Sequence, residues 1–316
     1  MRVTVLASMT KGDSMRTTIS GFLALCGLLG TSAAYATECD NWQTAHPEWL
    51  WCDSFESDSA IDANYFDVNR ASGRMTLSNE APFDGNYALK SNWGAGVQDA
   101  GSIKLSLGAT PVSPKRYTDQ KFNELYWRVY MKTSSNWTGQ AFKVSRGTIF
   151  TASDWRQAAI GHLWEDSDTG AGMGLDPVSG VQGSTVVTTK YNDFNNMTWL
   201  GKKNGAFQMY GTANREKWTC IEVRMKLNTP GASDGVLAFS VNGAAQATAS
   251  NLNFRGSYTT YGINAILLES FIGGNGAPQN QSRWFDNFVV SKQPIGCMGS
   301  APTTRKPNPP TNVNAQ

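Results

Sequence analysis

Residues 122–132, FNELYWRVYMK, constrain the fold more than any other stretch of the chain. Glu124, Tyr126, Arg128, Tyr130 and Lys132 fall on one parity, and Leu125, Trp127, Val129 and Met131 on the other. A β-strand sends successive side chains to opposite faces and keeps these two sets apart, whereas a helix would mix them around its surface. The predicted strand therefore has an apolar face for a core and a wet face carrying a carboxylate, two phenols and two cations. Residues 221–227 alternate in the same way, with Glu222, Arg224 and Lys226 on one face. Residues 236–241 and 244–248 flank Asn242-Gly243, a pair that adopts the positive φ angles of a type I′ hairpin. A last strand is predicted at residues 284–291. No window carries helical periodicity, and the 31 glycines and 11% aromatic content suit short strands joined by tight turns. These segments predict an all-β protein, a two-sheet antiparallel sandwich.

The ends of the chain differ from this middle. Arg16, an apolar run over residues 19–29 and Ala34-Tyr35-Ala36 form the pattern of an export signal, cleaved after Ala36. Met15 is an alternative start, and Leu25-Cys26 leaves a lipid-attachment reading open. No later segment has the roughly 18 apolar residues that span a bilayer. The expected location is secreted, either extracellular or periplasmic. Export removes Cys26 and leaves Cys39, Cys52, Cys220 and Cys297, an even number suited to an oxidising compartment. Three pairings are open. We favour Cys39–Cys52, which closes a Trp-rich lead-in, and Cys220–Cys297, which ties a late strand to the end of the domain. Zinc is the weaker alternative, because no CxxC spacing occurs and only His46 and His162 could assist. The domain is expected over residues 37–298, followed by a Pro/Asn-rich disordered tail or linker over 299–316. A net charge of +2 gives no global field for nucleic acid or an anionic membrane. Walker loops, GxSxG elbows and HExxH are absent, which argues against nucleotide, serine-hydrolase and zincin chemistry.

The segments DSFES, ELYWRVYMKTSSNW, WTCIEVRMKLNTPGASDGVLAFSVNG, LLESFIGGNG and RWFDNFVVSK, in that order, resemble the concanavalin A-like jelly rolls of secreted polysaccharide lyases, the alginate and glucuronan lyase-like groups above all. The resemblance spans roughly residues 39–297. It implies a jelly-roll sandwich acting as a monomer on an acidic, uronate-containing polysaccharide by β-elimination, with no cofactor in the chemistry. Sandwiches of this kind also hold a structural calcium between first and last strands, for which Asp53, Glu56 and Asp286 are the expected oxygen ligands. The acidic loop around Asp166 and Asp168 is a second place for it. The QIH and YFKxG elements of alginate lyases are absent, so a non-catalytic carbohydrate-binding or adhesive, lectin-like module stays open.

β-Elimination needs a cation or amide at the C5 carboxylate, a base for the C5 proton and an acid at the leaving oxygen. His162 and Tyr191 are the expected proton-transfer groups, and Arg128 and Lys143 the carboxylate partners. Glu124, Tyr126, Tyr130, Lys132, Arg146, Trp164 and Tyr210 are expected to contact substrate. Trp93, Trp137, Trp155 and Trp199 lie in Gly/Asn/Ser-rich surroundings that suit exposed loops and sugar stacking. Glu124, Glu222 and Glu269 keep a two-carboxylate glycosidase open.

Overall fold

The computed structural model describes residues 37–113, 115–139, 143–165 and 170–299. The expected export signal with Cys26, the acidic stretch at Asp166 and Asp168 and the expected tail from residue 300 onward lie outside the described residues. The first sheet has the spatial order β16 (Ala244–Leu252), β15 (Gly235–Val241), β14 (Thr219–Lys226), β6 (Glu124–Thr133), β18 (Gln281–Ser291), β4 (Ala88–Trp93) and β3 (Met75–Ser78), with β1 (Trp49–Asp53) also paired to β18. In the second sheet the order is β12 (Thr198–Trp199), β9 (Met173–Ser179), β8 (Gln157–Glu165), β7 (Lys143–Phe150), β17 (Ala265–Phe271), β5 (Asp99–Ser106) and β2 (Asp67–Asn69), with β13 (Lys203–Asn204) also on β9. A small separate ladder joins β10 (Val181–Gln182) to β11 (Thr185–Val186). All ladders are antiparallel, and the architecture is the expected all-β jelly-roll sandwich.

The alternation predicted for β6 is realised. Leu125, Trp127, Val129 and Met131 enter one core with Ile221, Val223 and Met225 of β14, and meet Ile103, Leu163, Ile266 and Leu268 of the second sheet. The sheets approach closely at Gly147 and Gly161, which are direct partners on β7 and β8. A Cβ at Gly147 would lie 3.2 Å from the Trp127 ring, and one at Gly161 2.8 Å from Leu237 Cδ1. The glycines thus make room for the large side chains of the first sheet. Trp127 Nε1 donates to Ser145 Oγ at 3.0 Å across this gap. Fixing Ser145 inward sends Arg146, its neighbour, to the outer face of the second sheet.

Both favoured disulfides are present, Cys39–Cys52 and Cys220–Cys297, with sequence separations of 13 and 77. They fasten the two ends of the domain to the first sheet. Loop-closure entropy grows with the length of the closed loop, so removing the pair by alanine substitution costs about 3 kcal/mol for the short loop and about 4.5 kcal/mol for the long one. Urea unfolding of the two double variants measures this order, and a smaller loss for Cys220/Cys297 contradicts it.

Candidate active site

One register row crosses the second sheet through Asp67, Lys104, Leu267, Arg146, His162 and Asp176, each the direct partner of the next. Their neighbours Ile103, Ile266, Leu268 and Leu163 belong to the core, so the row lies on the outer face. Parity alone therefore brings two cations, an imidazole and two carboxylates into line.

The centre of the row is a buried cation. Arg146 is 0% exposed and donates from Nη2 to Glu269 Oε1 at 2.8 Å, from Nη1 to Asn192 Oδ1 at 2.7 Å, and from Nη2 to the Tyr191 hydroxyl. Lys104 is ion-paired with Asp67, and its Nζ lies 3.1 Å from Ser102 Oγ. Lys143 completes the group of cations. Its ammonium has no ion-pair partner among the described residues and sits 4.9 Å over the Phe271 ring. Burial lowers its pKa against the opposing pull of Glu269, and Arg146 and Lys104 lower it further. Burial also pushes the Tyr191 phenol up, more than Arg146 pulls it down, so the phenol holds its proton. Lys104, Lys143, Tyr191, Asn192, Glu269 and Phe271 line an open cleft of ≈ 240 Å³.

His162 lies beside this cleft but is sealed. It is 0% exposed, with the rings of Trp164 at 4.2 Å, Phe194 at 5.9 Å and Trp199 at 6.1 Å. Its Nδ1 is 2.9 Å from the Asp176 carbonyl oxygen. A carbonyl can only accept, so Nδ1 carries the proton. Burial, with Arg146 next, holds the imidazole pKa well below its usual value, and the ring is neutral.

Of the residues expected from sequence, His162, Tyr191, Lys143, Arg146 and Trp164 share this face. The others do not, and their placement corrects those expectations. Arg128 is 1% exposed on the outer face of the first sheet, ion-paired to Glu38 and bonded to the Gly296 carbonyl at 3.2 Å. It stands on the opposite side of the sandwich from Lys143, so the two cannot hold one carboxylate. Glu124 on that same outer face pairs with Arg224 at 2.7 Å and accepts from the Tyr126 hydroxyl at 2.9 Å. Tyr130 stacks on Phe83 at 3.7 Å, and Lys132 Nζ donates to the Ala81 carbonyl at 2.9 Å. The end segments and the loop before β4 thus cover much of the face predicted to line a groove.

Tyr210 is core, 1% exposed and stacked on Trp137 at 5.6 Å. Trp93 and Trp137 are buried as well, while Trp199 is 43% exposed. Glu124 and Glu222 lie on the first sheet, the one ion-paired to Arg224 and the other accepting from the Ile295 and Gly296 amides, and Glu269 lies on the second sheet, ion-paired to Arg146. Asp53, Glu56 and Asp286 do not gather into a metal cluster, and no group of three or more His, Cys, Asp or Glu side chains does so among the described residues. Each accepts backbone amides instead: Asp53 from Phe55, Glu56 from Asn86 and Tyr87, Asp286 from Phe83 and Asp84. Sequence reading missed Lys104 and Asp67, which cross-strand register places in this row, and Asn192, which its hydrogen bonds to Arg146 and Gln157 bring to the cleft.

Residues 189–288 match the family profile described as polysaccharide lyase 14, a span that includes Tyr191, Asn192 and Glu269. Among solved structures the chain is similar to a marine alginate lyase of that family from Aplysia kurodai, with TM-score 0.54 and 14% identity over 77% of this chain and 98% of that one. It is also similar to an alginate lyase from Chlorella virus (TM-score 0.49, 16% identity, 82% of this chain and 100% of that one) and to an endo-β-1,4-glucuronan lyase from Trichoderma reesei (TM-score 0.48, 11% identity, 78% and 91%). No curated protein matches the chain. At 14% identity the likeness to the Aplysia kurodai enzyme establishes the sandwich fold.

Removing one partner of a buried ion pair leaves the other charge uncompensated. Glu269→Ala is therefore expected to cost about 3–5 kcal/mol. Denaturant unfolding measures it, and a cost below about 1 kcal/mol would mean that Arg146 finds water or another acceptor.

Proposed function

We propose that this protein is an exported polysaccharide lyase that cleaves a uronate-containing polysaccharide by β-elimination in the cleft on the outer face of the second sheet. The observation that carries the reading is one cleft lined by both a lysine with no ion-pair partner among the described residues, which burial makes easier to deprotonate, and a phenol that burial keeps protonated. The lyase 14 profile over residues 189–288 supports the reaction class, and the two disulfides fit an oxidising compartment.

In this mechanism the neutral Lys143 amine takes the C5 proton. The C5–H electrons become the C4–C5 double bond, the C4–O4 bond breaks, and the Tyr191 phenol gives its proton to the departing O4 oxygen. The phenolate left behind faces Arg146, already in contact with its oxygen. Lys104 and Arg146 supply the positive potential under the substrate carboxylate as charge develops on it. Arg146 thus takes the place expected for Arg128. His162, sealed under aromatic rings, is a neutral neighbour of Arg146 and not the base.

Elimination leaves an unsaturated uronate that absorbs in the near ultraviolet, whereas hydrolysis gives reducing ends without that chromophore. A panel of alginate, glucuronan, pectate and glycosaminoglycans is expected to yield absorbance growth on at least one polymer. Tyr191→Phe and Lys143→Arg should each lower the rate by roughly 10²–10⁴-fold. Arginine can bind a carboxylate but does not deprotonate, so activity retained in Lys143→Arg contradicts the base assignment. The rate should rise with pH and level off below the ordinary lysine range as Lys143 loses its proton. A second reading, a non-catalytic glycan-binding face, is favoured by the internal pairing of Lys104 and Arg146 with Asp67 and Glu269. Binding without product across the panel supports it.

A further inference from the structure

The opposite face of the sandwich carries a second row of unusual composition. Thr76, Lys90, Trp284 and Lys132 are consecutive cross-strand partners on β3, β4, β18 and β6. Trp218, one residue before β14, continues the row beside Lys132, since Thr219 pairs with Met131. All point away from the core. The result is an alternation of cation and indole across the first sheet: Lys90 Nζ lies 4.9 Å from the Trp284 ring, Lys132 Nζ 4.9 Å from the same ring and 4.9 Å from Trp218.

Cation–π contact holds each ammonium on a rigid plane, so the two charges are presented at a set separation and not on free stems. They stand two strands apart, roughly 10 Å, which is of the order of the rise of two linked pyranose rings. A 1,4-linked polyuronate repeats its carboxylates on that scale. Beside the row lies an open cavity of ≈ 430 Å³ lined by Glu80, Ala81, Lys132, Ser134, Glu216 and Trp284. Trp284 Nε1 is buried and has no hydrogen-bond partner among the described residues.

The loop before β4 already occupies these cations with anionic or carbonyl oxygen. Glu80 Oε2 is 2.5 Å from Lys90 Nζ, and the Ala81 carbonyl accepts from Lys132 Nζ at 2.9 Å and Trp218 Nε1 at 3.1 Å. Ala81 is held at φ 53, a left-handed conformation unfavourable for alanine. The Glu80 side chain is 61% exposed, so its ion pair is open to competition from solvent.

We propose that the Lys90–Trp284–Lys132–Trp218 row is a second, non-catalytic binding site for uronate polysaccharide, in which ligand carboxylates replace the Glu80 carboxylate on Lys90 and engage Lys132. The Glu216 carboxylate is placed to accept from sugar hydroxyls. The site lies across the sandwich from the cleft and does not depend on the lyase reading, because it binds polymer whether or not the cleft cleaves it.

Affinity electrophoresis in gels containing soluble alginate, with a neutral β-glucan gel as control, tests it in the full chain. Cleft turnover is measured in parallel on a uronate trisaccharide, too short to occupy both faces. Lys90→Met and Trp218→Ala should each weaken alginate binding roughly three- to tenfold. Glu80→Gln, an exposed change that removes the competing carboxylate, should strengthen it by a similar factor. Trisaccharide turnover should not change in any of the three. Because a merely structural role for the loop predicts no gain on Glu80→Gln, that variant keeps the test decisive even where Trp218→Ala disturbs folding. Alginate binding unchanged in Lys90→Met and Glu80→Gln overturns the proposal, as does an equal effect of all three variants on retention by the neutral glucan.

Discussion

The outer face of the second sheet depends on one buried ion pair. Arg146 has no exposed surface, and its charge is tolerable there because Glu269 sits at 2.8 Å and Asn192 and Tyr191 take further donors. The guanidinium in turn helps hold the segment that carries Tyr191 and Asn192, which belongs to no long strand and is also tied to Gln157 through Thr188 and the Asn192 amide and packed through Tyr191 against Phe150 and Trp155. Its own orientation is set from the other side of the sheet, by the Trp127–Ser145 hydrogen bond and by Gly147, which admits Trp127. A core contact in one layer thus decides where a phenol stands in the other.

Once Arg146, Glu269, Lys104 and Asp67 have neutralised one another, Lys143 is the cation of this cleft with no ion-pair partner among the described residues. Its burial beside two other cations is what makes it chemically distinct from the surface lysines. The first sheet handles its charges differently. Arg128 is tied to Glu38 at the start of the domain and to the Gly296 carbonyl near its end, while Lys90 and Lys132 lie against indole rings. The two outer faces are alike in composition: on one, Arg128 and Lys132 hold down the chain's own ends and loop, and on the other Lys104 and Lys143 line an open cleft.

The sequence made the fold class legible because β6 and β14 each set a polar row against an apolar one, and period two survives intact in such strands. Of the three disulfide pairings that it left open, the favoured one is the one present. The site was harder. β7 reads KVSRGTIF, with little alternation, because its outer side is buried by Tyr191 and its neighbours almost as fully as its inner side. Lys143, Arg146, His162 and Tyr191 were nonetheless picked out by residue type. Choosing between the two outer faces required contacts that span 90 residues, from Glu38 to Arg128, and 123 residues, from Arg146 to Glu269. Parity cannot show which polar face a distant segment will cover. Lys104 and Asp67 escaped notice for the same reason, since their relation to Arg146 exists only through the register of β2, β5, β17 and β7.

The most direct test of the cleft assignment is the crystal structure of the Lys143→Met variant with a saturated uronate trisaccharide. The variant keeps the buried Arg146–Glu269 pair and removes the base, so the ligand should stay intact. The account predicts a uronate ring over Tyr191, with its C5 next to residue 143 and its glycosidic oxygen within hydrogen-bond distance of the phenol. A trisaccharide ordered elsewhere on the molecule, with the cleft between Tyr191 and Phe271 holding only water, would contradict it.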